Sequence, residues 1–269
     1  MHTTEDDARY DFAHALTLEA GELALAHFRN LEALQVEEKK SGQDVVSIAD
    51  REVEDLIRSR IAAAFPDDGF LGEETGLTDG KSGYRWVVDP IDGTSCFLHG
   101  YREWCVSVAL MKGDETVAGF VCQPTVDEFF TARKGAGAFL NGKPIKVDAR
   151  ATIANALLGL GANVRIPARS VSCFVEVLLE AGGMFIRSGS GALMLTHVAC
   201  GRLAGYYEPH INAWDCLAAL CLIREAGGWT ADFPGSNGLM AGAKVVASAP
   251  QMRGELEALI EFAASRASL

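Results

Sequence analysis

WVVDPIDGTSCF, residues 86–97, is the stretch on which the fold turns. Three apolar residues, Trp86, Val87 and Val88, run into Asp89; Pro90 and Ile91 follow, then a second carboxylate at Asp92, then Gly93-Thr94. The apolar run reads as a buried strand. Proline has no N–H to give to a ladder, so the strand is expected to stop at Asp89 and the chain to turn there. A turn aims Asp89 and Asp92 into one space, whereas an unbroken strand sends residues at odd spacing to opposite faces. The Ile91 carbonyl can point into the same space. Gly93 admits backbone angles and close approaches closed to other residues, and Thr94 begins a short helical turn whose free N–H groups suit an anion. Carboxylates are seldom buried without a counter-charge, so this segment calls for something positive.

Two more carboxylates stand at the edges of apolar elements. Leu71-Gly72-Glu73-Glu74-Thr75 follows Phe70, and Ala213-Trp214-Asp215 opens an apolar helix. Glu73, Asp89, Asp92 and Asp215 together make a hard, all-oxygen donor set. Mg2+, which takes about six oxygens and keeps several waters, suits such a set. Ca2+ suits it less, because the chain has no DxDxDG loop. Two plainer readings stay open: Asp215 as the cap of its helix, and Asp89–Thr94 as a structural turn.

Outward from this segment, the first third has a helical period. Phe12, Leu16, Ala20, Leu23 and Ala24 repeat at three- and four-residue spacing, as do Val53, Leu56, Ile57, Ile61 and Ala64, with Asp50 at the start of the second helix. The middle reads as strands at 85–88, 104–111, 117–123 and 128–132, and Asn141-Gly142 between apolar runs signals a tight hairpin. Short links between consecutive strands predict an antiparallel sheet. Beyond about residue 150 the pattern alternates: strands at 156–160, 203–208 and 245–248, and helices at 170–181, 190–200, 215–226 and 252–264. The chain is therefore read as α/β.

The 269 residues carry a formal net charge of −12 and are 49% hydrophobic, so a large core is available and disorder is not expected. An acidic surface repels phosphate backbones, so direct nucleic-acid binding is not expected. No run approaches the roughly 18 apolar residues of a membrane span, and MHTTEDDARY lacks the start of a signal peptide, which predicts a cytoplasmic protein. The seven cysteines, among them Cys96 and Cys216, are odd in number and show no CxxC. They read as buried free thiols.

WVVDPIDGTSCF, with LGEET before it and AWDCLAALCLIREAGG after it, resembles the inositol monophosphatase family of magnesium-dependent, lithium-sensitive phosphatases. The likeness extends through KKSGQDVVSIADREVE, TARKGAGAFLNGKPIKV and GRLAGYYEPHINAWD. The resemblance implies a layered αβαβα sandwich. An N-terminal α+β part (1–150) has an antiparallel sheet and most metal ligands. A C-terminal α/β part (151–269) has a smaller mixed sheet, Asp215 and the substrate wall. It implies two or three Mg2+ per site, held by Glu73, Asp89, the Ile91 carbonyl, Asp92 and Asp215. Gly93 and Thr94 then give backbone donors to phosphate, Thr94 pairs with Asp50 to prepare the attacking water, and Gly189, Ser190, Gly191 and Glu208 meet the hydroxyls of a sugar or cyclitol. A homodimer acting on a small phosphorylated substrate, typically inositol 1-phosphate, is implied as well. Relatives act on fructose 1,6-bisphosphate, histidinol phosphate, adenosine 3',5'-bisphosphate or NADP, and some bacterial members bind RNA polymerase in a regulatory role.

Ser95 and Cys96 depart from the family's usual Thr-Asn, and Ala204 stands where many relatives have aspartate, near the expected substrate wall. Arg165, Arg169 and Arg187 are the candidate cations for a second phosphate. Gly135-Ala136-Gly137 looks like part of a phosphate loop but fits a hairpin better. His99 is expected in a surface loop. Lys39-Lys40 precedes a Ser-Gly that the family brings toward the site.

Overall fold

The computed structural model describes residues 5–33, 36–41 and 44–268, the side chains of 33–46 and 235–237 excepted. Lys39 and Lys40 therefore lie outside the described side chains. Helices α1 (Glu5–Phe28) and α2 (Ile48–Ala64) flank a hairpin of β1 (Val36–Ser41) and β2 (Asp44–Ser47). An eight-stranded sheet follows: β3 (Gly69–Gly72), β4 (Gly76–Thr78), β5 (Tyr84–Asp92), β6 (Cys105–Lys112), β7 (Glu115–Gln123), β8 (Glu128–Arg133), β9 (Gly137–Leu140) and β10 (Lys143–Pro144), with α3 (Thr94–Leu98) between β5 and β6. Its strand order is β10-β9-β8-β7-β6-β5-β3-β4. All neighbouring pairs are antiparallel except β3 and β5, which run parallel.

The second half supplies β11 (Leu157–Leu160), α4 (Ala168–Glu180), β12 (Met184–Ile186), α5 (Gly191–Ala199), β13 (Gly205–Ile211), α6 (Ala213–Glu225), β14 (Trp229–Thr230), α7 (Gly235–Ala241), β15 (Ala243–Ser248) and α8 (Arg253–Ala267). Its five-stranded sheet has the order β12-β11-β13-β15-β14 and is mixed, parallel between β12, β11 and β13 and antiparallel beyond.

Three cores separate the layers of this α/β sandwich. The α1–α2 layer covers one face of the large sheet, α5 and α6 fill the space between the two sheets, and α4 and α8 cover the outer face of the small one. The period of two along β5 assigns the faces: Trp86 and Val88 join the core with α1 and α2, and Val87 joins the core with α5 and α6. A strand buried on both faces needs apolar residues at every position, which is why the run shows no alternation. Each fully buried side chain of this kind contributes about 1.5–3 kcal/mol.

Two expectations need correction. The first third is not helical throughout, because β1–β4 interrupt it. Nor does the strand stop at Asp89, since β5 continues through Pro90 to Asp92. The ladder with β6 instead breaks register, with Asp89 opposite Ser107 and Asp92 opposite Cys105, so one extra residue is inserted on β5. A bulge relieves the missing N–H of proline without ending the strand. The predicted hairpin is present: Asn141 and Gly142 take φ of 48° and 74° between paired Leu140 and Lys143, as a tight two-residue turn requires. Among the described residues, no helix is long and apolar enough to cross a membrane.

Candidate functional site

The parallel strands β3 and β5 end side by side, and each delivers a carboxylate. The Glu73 N–H donates to the Val88 carbonyl at 3.2 Å, tying the end of β3 to β5 just before Asp89. Asp89 is 1% exposed, and its Oδ1 accepts the Ile91 N–H at 2.9 Å, which closes the bulge. At Gly93, φ is +95°, and a Cβ there would lie 2.8 Å from the Glu103 carbonyl, so only glycine makes this corner.

Asp215 arrives from the other half of the chain at the third position of α6. It accepts from the Asn212 backbone N–H at 3.3 Å and from Asn212 Nδ2 at 3.2 Å, so it is a capping residue. It is also a member of a carboxylate cluster: oxygens of Glu73, Asp89 and Asp215 all lie within 4.8 Å of one another. The two readings left open for Asp215 thus describe the same geometry. Asp92 stands beside this trio. Its Oδ2 accepts from Ser190 Oγ at 2.6 Å and from the Ala192 N–H at 2.7 Å, where α5 begins.

Among the described residues, no Lys or Arg forms a salt bridge with Asp89, Asp92 or Asp215. The electrostatic consequence is large. Burial first, and then the charges of Glu73, Asp92 and Asp215, hold the Asp89 carboxyl well above the ordinary carboxylate range. Asp215 is raised in the same way, by burial and then by Asp92 and Glu73. Burial pushes Asp92 up to about 6, against the Ser190 hydroxyl and the Ala192 N–H, which hold it down. Crowded acids in a dry site take up protons unless a cation replaces them. An all-oxygen set with excess negative charge fits a hard divalent ion such as Mg2+.

Ser47 caps α2 and Asp50 completes a capping box, its Oδ2 accepting the Ser47 N–H at 2.8 Å and Oγ–H at 2.7 Å. Asp50 Oδ1 lies 3.1 Å from Thr94 Oγ1, which is also 3.1 Å from the Ile91 carbonyl. The hydroxyl has one proton and can serve only one of these acceptors at a time.

Glu208 lies in β13, 6% exposed. Its Oε1 accepts from Asn163 Nδ2 at 3.0 Å and its Oε2 from the Tyr206 hydroxyl. Burial raises its pKa, while these bonds and the charges of Arg165 and Arg187 oppose the rise. Arg165 and Arg187 therefore stand near Glu208, whereas Arg169 is spent on the carbonyls of Arg266 and Ala267. Gly189 and Gly191 flank Ser190, which is fully buried and uses its hydroxyl on Asp92 and on the Leu193 N–H.

Sequence reasoning missed Tyr206, Asn163 and Gly161. Only glycine at 161 leaves room for Glu208, because a Cβ there would lie 2.1 Å from Oε2. The glycines of LGLG were the available signal. Ala204, where many relatives carry aspartate, is buried in the outer core with Leu158, Val246 and Leu256. Cys96 donates to the Ser188 carbonyl at 3.1 Å, with burial pushing its thiol up, and Cys216 is fully buried. Burial disfavours the reactive thiolate at both positions. His99 is exposed and bonds the Ser95 carbonyl at 2.8 Å. The N–H groups of Gly135 and Gly137 do hold an anion, but it is Glu225 of α6, at 2.9 Å from each.

The family model described as the inositol monophosphatase family matches residues 5–265. An inositol-1-monophosphatase of Mesorhizobium japonicum is 40% identical over 234 residues, covering 86% of this chain and 87% of that protein. The Nus factor SuhB of Xylella fastidiosa is 41% identical over 221 residues, covering 81% and 79%. Among solved structures, the extragenic suppressor protein suhB of Bartonella henselae superposes with a TM-score of 0.88 at 33% identity, covering 94% of this chain and 98% of that one. An IMPase of Thermotoga maritima superposes with a TM-score of 0.85 at 28% identity, covering 97% and 99%.

Proposed function

This chain belongs to the inositol monophosphatase family, and from that membership we propose that it hydrolyses a small phosphate monoester, inositol 1-phosphate foremost, with Mg2+ and water. The observation that carries this reading is the convergence of Glu73, Asp89 and Asp215 oxygens within 4.8 Å of one another. In the proposed site Glu73, Asp89, Asp215, Asp92 and the Ile91 carbonyl hold two or three ions. Bound there, Mg2+ supplies charge neutralisation of the phosphoryl oxygens and acidifies the attacking water.

The chain's own groups do the rest. Thr94 Oγ1 accepts a hydrogen bond from the water while passing its own proton toward Asp50 Oδ1, so the water's lone pair is aimed at phosphorus. The backbone N–H groups of Gly93 and Thr94 face the phosphate. Glu208, oriented by Tyr206 and Asn163, accepts hydrogen bonds from hydroxyls of the leaving group. The P–O bond to the sugar or cyclitol breaks as water supplies the new oxygen on phosphorus, and the departing alkoxide takes a proton from solvent water. No covalent enzyme intermediate is needed. Lithium sensitivity, a homodimer and a cytoplasmic location belong to the same reading.

The test is phosphate release over inositol, sugar, nucleotide and histidinol phosphates, with Mg2+ and with EDTA. Turnover of inositol 1-phosphate that EDTA abolishes supports the reading; no Mg2+-dependent release from any of them refutes it. A second reading, a regulatory RNA polymerase-binding role, is favoured by the 41% identity to a Nus factor SuhB. An Asp89→Asn protein that is silent as a phosphatase yet rescues a deletion strain would support that role.

A further inference from the structure

We propose that Glu54 is the positioning residue of the metal site, the group that fixes the Glu73-bearing turn against Asp89. This rests on the metal reading above. Glu54 lies in α2 and is 0% exposed. Among the described residues, no cation pairs with it. Its carboxylate is spent on backbone instead: Oε2 accepts the Glu74 N–H at 2.9 Å and Oε1 the Thr75 N–H at 2.7 Å. These are the two residues that follow Glu73. A carboxylate receiving two adjacent N–H groups fixes the peptide planes in distance and in angle, and bonds to an ionised acceptor are roughly twice as strong as neutral ones.

The surroundings are built for this contact. A Cβ on Gly72 would lie 2.4 Å from the Glu54 carboxyl carbon and 2.5 Å from both oxygens, so glycine just before Glu73 opens the slot. One helical turn earlier on the same face of α2, Asp50 holds Thr94 at 3.1 Å. Two buried carboxylates on one rigid helix thus grip the two segments that bear metal ligands, Asp50 behind DPIDGT and Glu54 behind LGEET. The helix sets the spacing between them. Removing the Glu54 grip leaves Glu73 on a turn with two unheld N–H groups, and the cost falls on metal affinity.

The experiment is calorimetric titration of Mn2+ into the metal-free full chain, for wild type, Glu54→Gln and Glu54→Asp, with thermal melts to verify folding. In Glu54→Gln one amide oxygen serves a single N–H, and the amide nitrogen confronts the other. Glu54→Asp keeps the charge but is one methylene too short to reach both donors. Both variants are expected to bind Mn2+ about 10–100-fold more weakly, the range for lost groups that support metal ligands. Phosphate release should recover at saturating Mg2+, and the Glu74 and Thr75 amides should exchange faster with deuterium. If Glu54→Gln does not fold, Glu54→Asp carries the test. Wild-type affinity in Glu54→Asp beside weak binding in Glu54→Gln would reduce Glu54 to a mere charge and overturn positioning. Wild-type affinity in both would overturn it outright. If wild type itself binds no Mn2+, the metal reading falls first and this inference with it.

Discussion

Ser190 Oγ donates to Asp92 Oδ2 across 2.6 Å, joining residues 98 positions apart in the chain. The serine also caps α5 through the Leu193 N–H at 3.1 Å, so one hydroxyl anchors a helix and aims a carboxylate. Ser190→Ala removes both bonds and leaves Asp92 with fewer donors in a buried place. A lost cap and a lost bond to a charged group together predict about 2 kcal/mol of destabilisation, which thermal denaturation would read as a fall in Tm of about 4–8 °C. An unchanged Tm would mean that water replaces the hydroxyl at no cost.

Thr94→Val keeps the shape of the side chain and removes its proton. With the step to Asp50 gone, kcat should fall about 10²–10⁴-fold, the usual contribution of a positioned acid or base. Mn2+ binding should persist, since neither Thr94 nor Asp50 belongs to the carboxylate trio. Steady-state phosphate release and a metal titration on the same preparation separate the two effects.

Gly161→Ala tests the placing of Glu208. The new methyl would lie 2.1 Å from Oε2 and 2.4 Å from the Tyr206 hydroxyl. Displacing Glu208 should raise KM for inositol 1-phosphate while leaving hydrolysis of an aryl phosphate, which has no leaving-group hydroxyls to be read, near the wild-type rate. Equal losses on both substrates would show that the alanine disturbs the metal site instead.

The crowded acids make a pH prediction. Asp89 and Asp215 are raised well above the ordinary value of 3.8, and Asp92 from 3.8 to about 6, so the metal-free fold binds protons more tightly than the unfolded chain. Their contribution to stability is complete below 3.8 and is lost as pH rises through the folded values, for Asp92 through about 6. Mg2+ competes with those protons. Stabilisation by Mg2+, read as the shift in Tm between Mg2+ and EDTA, should therefore be larger at pH 7.5 than at pH 5. A shift that does not depend on pH would place the ion elsewhere.

Much of this was legible in the sequence because it depends on local chemistry. The apolar runs of β5, β6 and β7, the Asn141-Gly142 turn and the helical period of α2 and α6 all appear where their patterns put them. What escaped depends on partners far away in the chain. The Gly69–Gly72 strand is too short and glycine-rich to show a period, and its identity comes from pairing with β5. Pro90 forbids a regular ladder, and only the opposing β6 reveals that a bulge absorbs it. Glu54 reads as one more solvated acid on a helix, because its two donors lie 20 and 21 residues away. Asp50 was readable as a cap, but its second oxygen reaches Thr94, 44 residues on.

Glu73, Asp89 and Asp215 are proposed to hold the divalent ions that act on a phosphate ester. Anomalous diffraction from crystals of the protein grown with Mn2+ tests this most directly. Strong anomalous peaks bonded by oxygens of these three side chains are expected; a well-ordered site with no peak there, under Mn2+ that supports turnover, would contradict this assignment.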